Sequence, residues 1–143
     1  MGRRSGRAAE HPRPAILIDT SAWIEFLRDT KSPACVRVDK LLNEDIAISE
    51  PVRMEALAGA RDERQLSDLR GLLAWATLIH TEAIDYEEAA VLYRVFRHSG
   101  ETVRKLIDCL IASIAIRTGS SILHCDTDFD VLARHNALQI DRP

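Results

Sequence analysis

Short apolar runs that alternate with segments of helical periodicity most constrain the fold of this chain. Each run is three to five residues long and rich in β-branched side chains, and no hairpin turn signal joins one run to the next. Strands separated by helices pair in parallel and are covered by those helices. The pattern predicts an α/β domain over residues 15–143, a parallel sheet of about five short strands flanked by helices. The predicted strands are 15–19, 46–49, 77–80, 121–124 and 137–141.

Length and composition agree with one globular domain. The chain has 143 residues, of which 46% are hydrophobic and 29% charged, values that argue against a disordered or fibrous protein. No apolar run approaches the roughly 18 residues of a membrane helix. Three cysteines without a CxxC spacing argue against a zinc knuckle or a disulfide framework and favour the cytoplasm.

Charge is divided unevenly along the sequence. Residues 1–14 hold four arginines against one glutamate and show no apolar periodicity, so they are predicted to be a basic, flexible arm outside the fold. The remaining residues carry fifteen basic and twenty-one acidic side chains, a net charge of −6. Such a body is poorly suited to hold nucleic acid by basic surface alone, because cationic side chains supply most non-specific affinity for phosphate. A phosphate partner would need another source of positive charge.

Four acidic residues occupy informative positions in this pattern. Asp19 ends the first predicted strand, Asp126 follows the fourth, and Glu55 and Asp108 lie on helices that flank the sheet. Ligands of open parallel sheets bind at the carboxyl ends of the strands. Each residue alone also has a structural explanation: Asp19 and Asp126 as helix caps, Asp108 as an ion-pair partner of Arg104, and Glu55 as a solvated residue.

Taken together, the four acids indicate a cation site. Carboxylates about 4 Å apart repel by on the order of 4 kcal/mol per pair at an effective dielectric constant of 20. Such a cluster needs protons or a bound cation. Ligands that are all oxygen atoms favour Mg²⁺ or Mn²⁺ over zinc, and these ions also accept phosphate oxygens.

The sequence resembles a known family in four motifs. They are I-D-T-S-A-W-I at Ile18–Ile24, P-V-R-M-E-A-L-A-G-A at Pro51–Ala60, L-I-D-C-L-I-A at Leu106–Ala112 and H-C-D-T-D-F at His124–Phe129. In this order they resemble the PIN-domain ribonucleases, in particular the VapC-type toxins of bacterial toxin–antitoxin pairs. The resemblance spans residue 16 to about residue 141.

The resemblance implies a function and a set of site residues. It implies a Mg²⁺- or Mn²⁺-dependent endoribonuclease that binds one or two ions and hydrolyses RNA phosphodiester bonds. It further implies a homodimer and a complex with a cognate antitoxin whose cationic segment enters the acidic cleft. The implied metal ligands are Asp19, Glu55, Asp108 and Asp126, with Asp128 as an auxiliary acid and Ser21 as a polar lining residue. Arg104, Lys105 and the preceding loop 97–102 are candidates for guiding the RNA backbone.

Two other interpretations stay open on the sequence alone. The D-T-D of the fourth motif is similar to the signature of haloacid-dehalogenase-type phosphatases, but the lysine that such enzymes need downstream is missing from residues 129–143. The same fold could also be an inactive interaction module whose acids bind an arginine-rich partner. His124 is expected to point away from the acids. The large aromatic residues are expected in the core rather than at an interface.

Overall fold

The computed structural model describes residues 15–98, 100, 105–134 and 137–143. The predicted basic arm and Arg104 lie outside the described residues. The strands are β1 (Ile16–Ile18), β2 (Ile46–Ser49), β3 (Thr77–Ile79), β4 (Ser121–Leu123) and β5 (Gln139–Ile140). The helices are α1 (Thr20–Leu27), α2 (Pro33–Leu41), α3 (Glu50–Ala58), α4 (Glu63–Leu73), α5 (Ala83–His98), α6 (Leu106–Thr118) and α7 (Thr127–Ala133).

The five strands form one parallel sheet in the order β3-β2-β1-β4-β5. From β1 the chain builds outward to β2 and β3 on one side, and β4 and β5 complete the other side. The order therefore reverses between β1 and β4, the place where open parallel sheets bind ligands. Ile18 pairs with Leu123 at this point, and the Asp19 N–H donates to the Leu123 carbonyl at 2.9 Å. The residues that follow β1 and β4 consequently lie side by side.

Helix starts are fixed by local side chains. Ser32 and Ser49 accept the backbone N–H groups of Cys35 and Val52 and so cap α2 and α3, each of which has a proline in its first turn. Gly119 ends α6 with φ of 69°, a left-handed conformation that costs glycine little. These signals explain why helices begin directly after the strands and bring functional side chains to one edge of the sheet.

The core confirms the predicted α/β class. Trp23 and Phe129 are fully buried, and the face of α6 from Ile111 to Ala115 packs against the sheet core. All five strands lie within the predicted runs, and β2 matches its run while the other four strands are shorter at one or both ends. No helix among the described residues is both long and apolar enough to cross a membrane.

One aromatic residue contradicts the core prediction. Trp75 is 78% exposed, whereas Trp23 and Phe96 are buried as expected. Trp75 lies in the turn between α4 and β3, where its backbone N–H donates to the Leu72 carbonyl. Strand β3 is the edge of the sheet and is itself largely exposed, so nothing in the described chain covers this turn.

Candidate functional site

Three aspartates converge at the carboxyl edge of the sheet. Asp108, Asp126 and Asp128 each offer a carboxylate oxygen, and these three atoms lie within 4.8 Å of one another. Asp108 is the third residue of α6, Asp126 caps α7 and Asp128 lies in the first turn of α7. Asp108 and Asp128 are buried, and the Asp126 side chain is 10% exposed. We call these three residues the acid triad.

The start of α7 holds two members of the acid triad in place. The Asp128 N–H donates to Asp126 Oδ1 at 2.9 Å, so Asp126 is a helix cap as well as a member of the triad. The Lys105 N–H donates to Asp128 Oδ2 at 3.3 Å, and Lys105 Nζ lies 3.6 Å from Asp126 Oδ2. Lys105 is therefore the cation that the described structure places at the triad.

Asp108 is the electrostatically most unfavourable residue of the triad. Burial raises the pKa of the Asp108 carboxyl to about 8, with further contributions from the negative charges of Asp126 and Asp19 and a hydrogen bond to Asp128. Lys105 opposes this shift. Among the described residues, the buried Asp108 Oδ2 has no hydrogen-bond partner. A buried carboxylate oxygen without a donor is costly, so this atom calls for a proton or a cation.

Asp19 lies next to the triad with its side chain turned toward α1. Its Oδ2 accepts the Ser21 N–H at 3.0 Å and the Ser21 hydroxyl at 2.6 Å. Burial raises the pKa of Asp19 and the charge of Asp126 adds to the shift, while the bonds from Ser21 and Thr20 oppose it. The Ser21 hydroxyl also accepts the Cys125 N–H at 2.8 Å and thereby ties the loop after β1 to the loop after β4.

Glu55 lies on α3, near Asp19 and Asp126. Its Oε1 accepts the Thr20 hydroxyl at 3.0 Å. Burial raises the pKa of Glu55, the bond from Thr20 lowers it, and the charges of Asp19 and Asp126 raise it further. Glu55 and Thr20 also line a groove of about 440 Å³ with residues of α1, α3 and α4. Glu55 thus borders both the acids and an open groove.

The predicted site residues therefore form two groups. Asp108, Asp126 and Asp128 make the triad, whereas the carboxylates of Asp19 and Glu55 are engaged by the hydroxyls of Ser21 and Thr20. The charges of Asp19 and Glu55 still act on the triad. Arg104, the predicted partner of Asp108, lies outside the described residues.

Sequence reasoning missed the contacts of Thr20 and His124, whereas it placed Lys105 near Asp108 as a candidate for contacting the substrate. Thr20 sits within the first motif, but its partner Glu55 is 35 residues away, and no local signal joins them. Lys105 precedes α6 as its cap residue, a position that depends on where that helix starts. His124 was expected to point away from the acids, and its Nδ1 accepts the backbone N–H of Asp126 at 2.9 Å, a contact that the sequence did not predict.

The His124 ring supports the Asp126 loop from behind. It is almost buried and packs against Phe129 with ring centroids 5.3 Å apart. Because Nδ1 accepts the Asp126 N–H, the proton of the neutral ring lies on Nε2, which is 3.4 Å from Asp130 Oδ1. The ring orients Asp126 in the way that outer-shell groups orient metal ligands.

The donor set of the triad fits a hard divalent cation. Its ligand atoms are all carboxylate oxygens, and one of them, Asp108 Oδ2, is buried without a donor. Zinc sites prefer histidine and cysteine ligands. The residues present therefore suit an ion that binds oxygen and retains water in its shell.

Comparison with known proteins gives a family. A family model described as PIN domain matches residues 16–135. The VapC ribonuclease Mb1587 of Mycobacterium bovis is 49% identical to the chain over 128 residues, which are 87% of the chain and 96% of that protein. Ribonuclease VapC11 of Mycobacterium tuberculosis has the same identity and coverage. The crystal structure of VapBC2 from Rickettsia felis, bound to a DNA fragment from its promoter, matches with a TM-score of 0.72 and 20% identity, covering 89% of the chain and 97% of that structure's chain.

These findings confirm the resemblance inferred from the four motifs. The family match covers most of the chain, and the 49% identity extends over nearly the whole length of the ribonucleases. The match to the Rickettsia felis structure shows the same fold. The chain belongs to the PIN-domain family and, within it, to the VapC ribonucleases.

Proposed function

We propose that this VapC ribonuclease is a Mg²⁺- or Mn²⁺-dependent endoribonuclease and the toxin of a toxin–antitoxin pair, and that the metal binds at the acid triad. The observation that carries this proposal is the buried Asp108 carboxyl, whose Oδ2 lacks a donor and faces the charges of Asp126 and Asp19. A divalent cation would neutralise this repulsion. It would also supply the positive charge that a body with a net charge of −6 lacks for binding phosphate.

We assign direct metal binding to the triad residues Asp108, Asp126 and Asp128. Asp19 and Glu55 lie beside the triad and complete a site for one or two ions as additional ligands. The charge of Asp126 acts on both carboxyls, which supports this assignment. When bound, the ion lowers the pKa of a coordinated water and stabilises the departing oxygen of a phosphodiester.

The chain's own residues hold and orient this chemistry. Ser21 fixes the Asp19 carboxylate with two hydrogen bonds, and Thr20 fixes Glu55. The Lys105 side chain is 55% exposed beside Asp126, so its ammonium can reach a substrate phosphate. In this mechanism the carboxylates position the reacting groups and do not attack the substrate.

The proposed activity can be tested directly. Purified protein is incubated with structured RNA in Mg²⁺, Mn²⁺ or EDTA, beside the Asp19→Asn variant, and the products are resolved by denaturing gel electrophoresis. We expect cleavage by the wild type in either metal, no cleavage in EDTA and strongly reduced cleavage by the variant. Absence of metal-dependent cleavage on every RNA tried would favour an inactive interaction module.

The partners follow from the same proposal. We propose a cognate antitoxin whose cationic segment enters the acidic cleft, assembly as a homodimer and as a toxin–antitoxin complex, and action in the cytoplasm. The support is the net charge of the body and the likeness to a VapBC complex. Binding of an antitoxin that left RNA cleavage fully active would contradict a segment in the cleft.

His124 offers a prediction with two near-isosteric variants. His124→Asn keeps an acceptor close to the position of Nδ1, whereas His124→Gln keeps a donor near Nε2 and loses that acceptor. We expect His124→Gln to lower cleavage roughly 10- to 100-fold, the usual cost of losing an outer-shell partner, and His124→Asn to retain most of it. The measurement is the cleavage rate as a function of Mg²⁺ concentration.

A purely structural role of His124 gives a different result. In that case both variants would lose the packing against Phe129 and their rates and melting temperatures would fall together. For a positioning role, the two variants have similar melting temperatures and differ in the Mg²⁺ concentration that gives half the maximal rate.

A further inference from the structure

We propose that the RNA backbone leaves the acid triad along a basic groove between α2 and the segment 141–143. This inference rests on the proposed function and adds to it a path for the substrate. The groove has a volume of about 580 Å³. Its cationic side chains are Lys31, Arg37, Lys40 and Arg142, which we call the basic groove residues.

Charge is the first argument for a phosphate ligand. Three groove cations pair with aspartates outside the lining: Lys31 with Asp29, Arg37 with Asp141 and Arg142 with Asp130. The pairs of Lys31 and Arg142 are exposed and therefore weak, so a phosphate can replace them. Among the described residues, the lining itself holds four basic side chains and no acidic one. This concentration stands out because residues 15–143 carry an excess of six negative charges. A local cationic surface on an acidic protein raises the local concentration of a polyanion where it is needed.

Helix α2 displays two of these cations on one face. Pro33, Val36, Arg37 and Lys40 lie at spacings of three and four residues, so they follow one side of the helix along the groove. The groove floor between the cations is thus apolar. Such a surface suits the sugar part of a nucleic acid backbone, with the cations contacting the phosphates.

The loop before α2 fixes the position of Lys31. Asp29 and Lys31 adopt left-handed backbone conformations, with φ of 51° and 63°. The Thr30 hydroxyl lies between them and bonds to Glu25 Oε1 at 2.7 Å and to Ser32 Oγ at 3.0 Å. Non-glycine residues adopt this conformation only where the surroundings impose it. Lys31 is consequently presented by a loop with a defined shape.

The other wall of the groove is anchored by a partly buried ion pair. Arg37 donates from Nε and Nη2 to both carboxylate oxygens of Asp141, at 2.9 and 3.0 Å. This bidentate contact fixes the segment that carries Arg142. Arg142 Nη1 lies 3.1 Å from Asp130 Oδ1, and its side chain is 70% exposed. Exposed ion pairs are weak, so Arg142 can exchange Asp130 for a phosphate.

A second depression borders both the basic groove and Asp126, one of the three triad residues. It has a volume of about 200 Å³, and its lining includes His124 and three aspartates, Asp126, Asp130 and Asp141. It shares Arg142 and Pro143 with the basic groove. A strand whose scissile phosphate lies at the triad therefore meets Arg142 first and then the cations of α2.

The residue types that line the groove also predict that it binds RNA without recognising its sequence. Its lining residues among those described include no aromatic side chain, and stacking on aromatic rings is the usual way to hold single-stranded bases. Contacts from lysine and arginine to phosphate position a strand without reading its sequence. The basic groove residues should therefore contribute affinity that is independent of sequence.

The test compares two variants, one that loses three positive charges in the basic groove and one that loses three positive charges elsewhere on the surface. The groove variant carries Lys31→Gln, Lys40→Gln and Arg142→Gln; Arg37 is kept because its ion pair with Asp141 anchors the groove. The control variant carries Arg64→Gln, Arg70→Gln and Arg94→Gln, which change the net charge equally and are exposed on α4 and α5. Binding of a fluorescent single-stranded RNA is measured in EDTA at several salt concentrations, and cleavage is measured in Mg²⁺.

We expect the groove variant to bind RNA roughly tenfold more weakly than the wild type. The slope of log affinity against log salt concentration should become shallower by about 2, because three phosphate contacts are lost. The control variant should bind like the wild type. A charge-conserving variant with Lys31→Arg, Lys40→Arg and Arg142→Lys should restore binding. Equal losses in the groove and control variants, or no loss in either, would overturn the proposed path.

The cleavage measurement separates this inference from the proposed function. A wild type that cleaves RNA together with a groove variant that binds and cleaves equally well contradicts only the path. A groove variant that binds RNA normally but fails to bind an acidic protein partner also contradicts it. Absence of cleavage by the wild type contradicts the nuclease proposal, and the binding data then still decide whether the groove holds RNA.

Discussion

Asp108→Asn should abolish metal-dependent RNA cleavage and at the same time stabilise the metal-free protein at pH 8. Cleavage should be lost because Asp108 would no longer contribute a carboxylate to the triad that holds the cation. Asp108 is also the triad residue whose buried Oδ2 has no hydrogen-bond donor among the described residues. A bound cation stabilises the transition state by several kcal/mol, so cleavage should fall by about a thousandfold. The rate of cleavage in Mg²⁺ measures this effect.

The gain in stability has a separate electrostatic cause. In the wild type, raising the pH toward 8 forces more of the folded molecules to carry a buried charge at Asp108 beside Asp126 and Asp19, since burial raises the pKa of Asp108 to about 8. An asparagine at this position is neutral and can donate to the neighbouring carboxylates. We therefore expect a higher melting temperature than the wild type in EDTA at pH 8, and a smaller difference at pH 5.

Asp85→Asn is the matched control for this prediction. Asp85 is also a buried aspartate, but Arg117 donates to both of its carboxylate oxygens. Burial alone would raise the pKa of Asp85, and the bonds from Arg117 and the Glu82 N–H outweigh it, so the pKa lies below its usual range. Its removal should cost about 2 kcal/mol of stability and leave cleavage intact below the melting temperature.

The two variants thus move stability in opposite directions. If Asp108→Asn melted at a lower temperature than the wild type at pH 8 and still cleaved RNA in Mg²⁺, Asp108 would be a structural residue. The same outcome would remove the main support for a cation at the acid triad.

The sheet could be predicted from the sequence because its signals are local. The predicted runs 46–49 and 121–124 contain the strands β2 and β4, which are largely buried and hold β-branched residues, and the helices after them leave only a parallel arrangement. Parallel topology then brings the ends of β1 and β4 together, which is why Asp19 and Asp126 were predicted at one edge. The same pattern placed Glu55 and Asp108 on helices that flank the sheet, and the family resemblance implied that all four acids are metal ligands.

The division of the acids into two groups could not be predicted in this way. The side chain of Asp19 turns toward α1 because Ser21 supplies two donors, whereas Asp128 turns toward Asp108 because the first turn of α7 directs it there. These directions depend on cap geometry and on helix starts, which sequence patterns locate only to within a few residues. The location of Asp108 in the first turn of α6 is an example.

Features assembled from distant segments were also beyond the sequence. The basic groove joins the loop at Lys31, one face of α2 and Arg142, more than 100 positions apart, through the contact between Arg37 and Asp141. Each cation alone is an ordinary exposed residue of an acidic chain. Only the packing of segment 141–143 against α2 makes them one surface.

The metal-free protein should lose stability as the pH rises from about 4 to about 8. Unfolded aspartate titrates near 3.8, whereas the pKa of Asp108 in the fold is about 8, so in this window the folded chain binds more protons than the unfolded chain. Raising the pH therefore favours unfolding. Asp19 and Glu55 act in the same direction because their pKa values are also raised, first of all by burial. The stabilising contribution of Asp85, whose pKa is lowered, is complete above its unfolded value and does not change in this window.

Mg²⁺ should reverse this loss because it binds the deprotonated carboxylates. At a concentration of 100 times its dissociation constant, an ion that binds only the folded state adds about 2.7 kcal/mol of stability. For a domain of this size that is an increase of about 8 °C in melting temperature. The increase should be larger at pH 8 than at pH 5, where protons compete for the same oxygens.

Thermal unfolding followed by circular dichroism at pH 5, 6, 7 and 8, in EDTA and in Mg²⁺, measures both effects, with NaCl added to equal ionic strength. Asp108→Asn should flatten the pH dependence in EDTA and greatly reduce the response to Mg²⁺, because it removes both the titrating group and a ligand. Asp85→Asn should retain both responses from a lower starting temperature. A metal-free wild type whose stability stayed constant or rose between pH 5 and pH 8 would show that the triad carries no electrostatic strain for a cation to relieve.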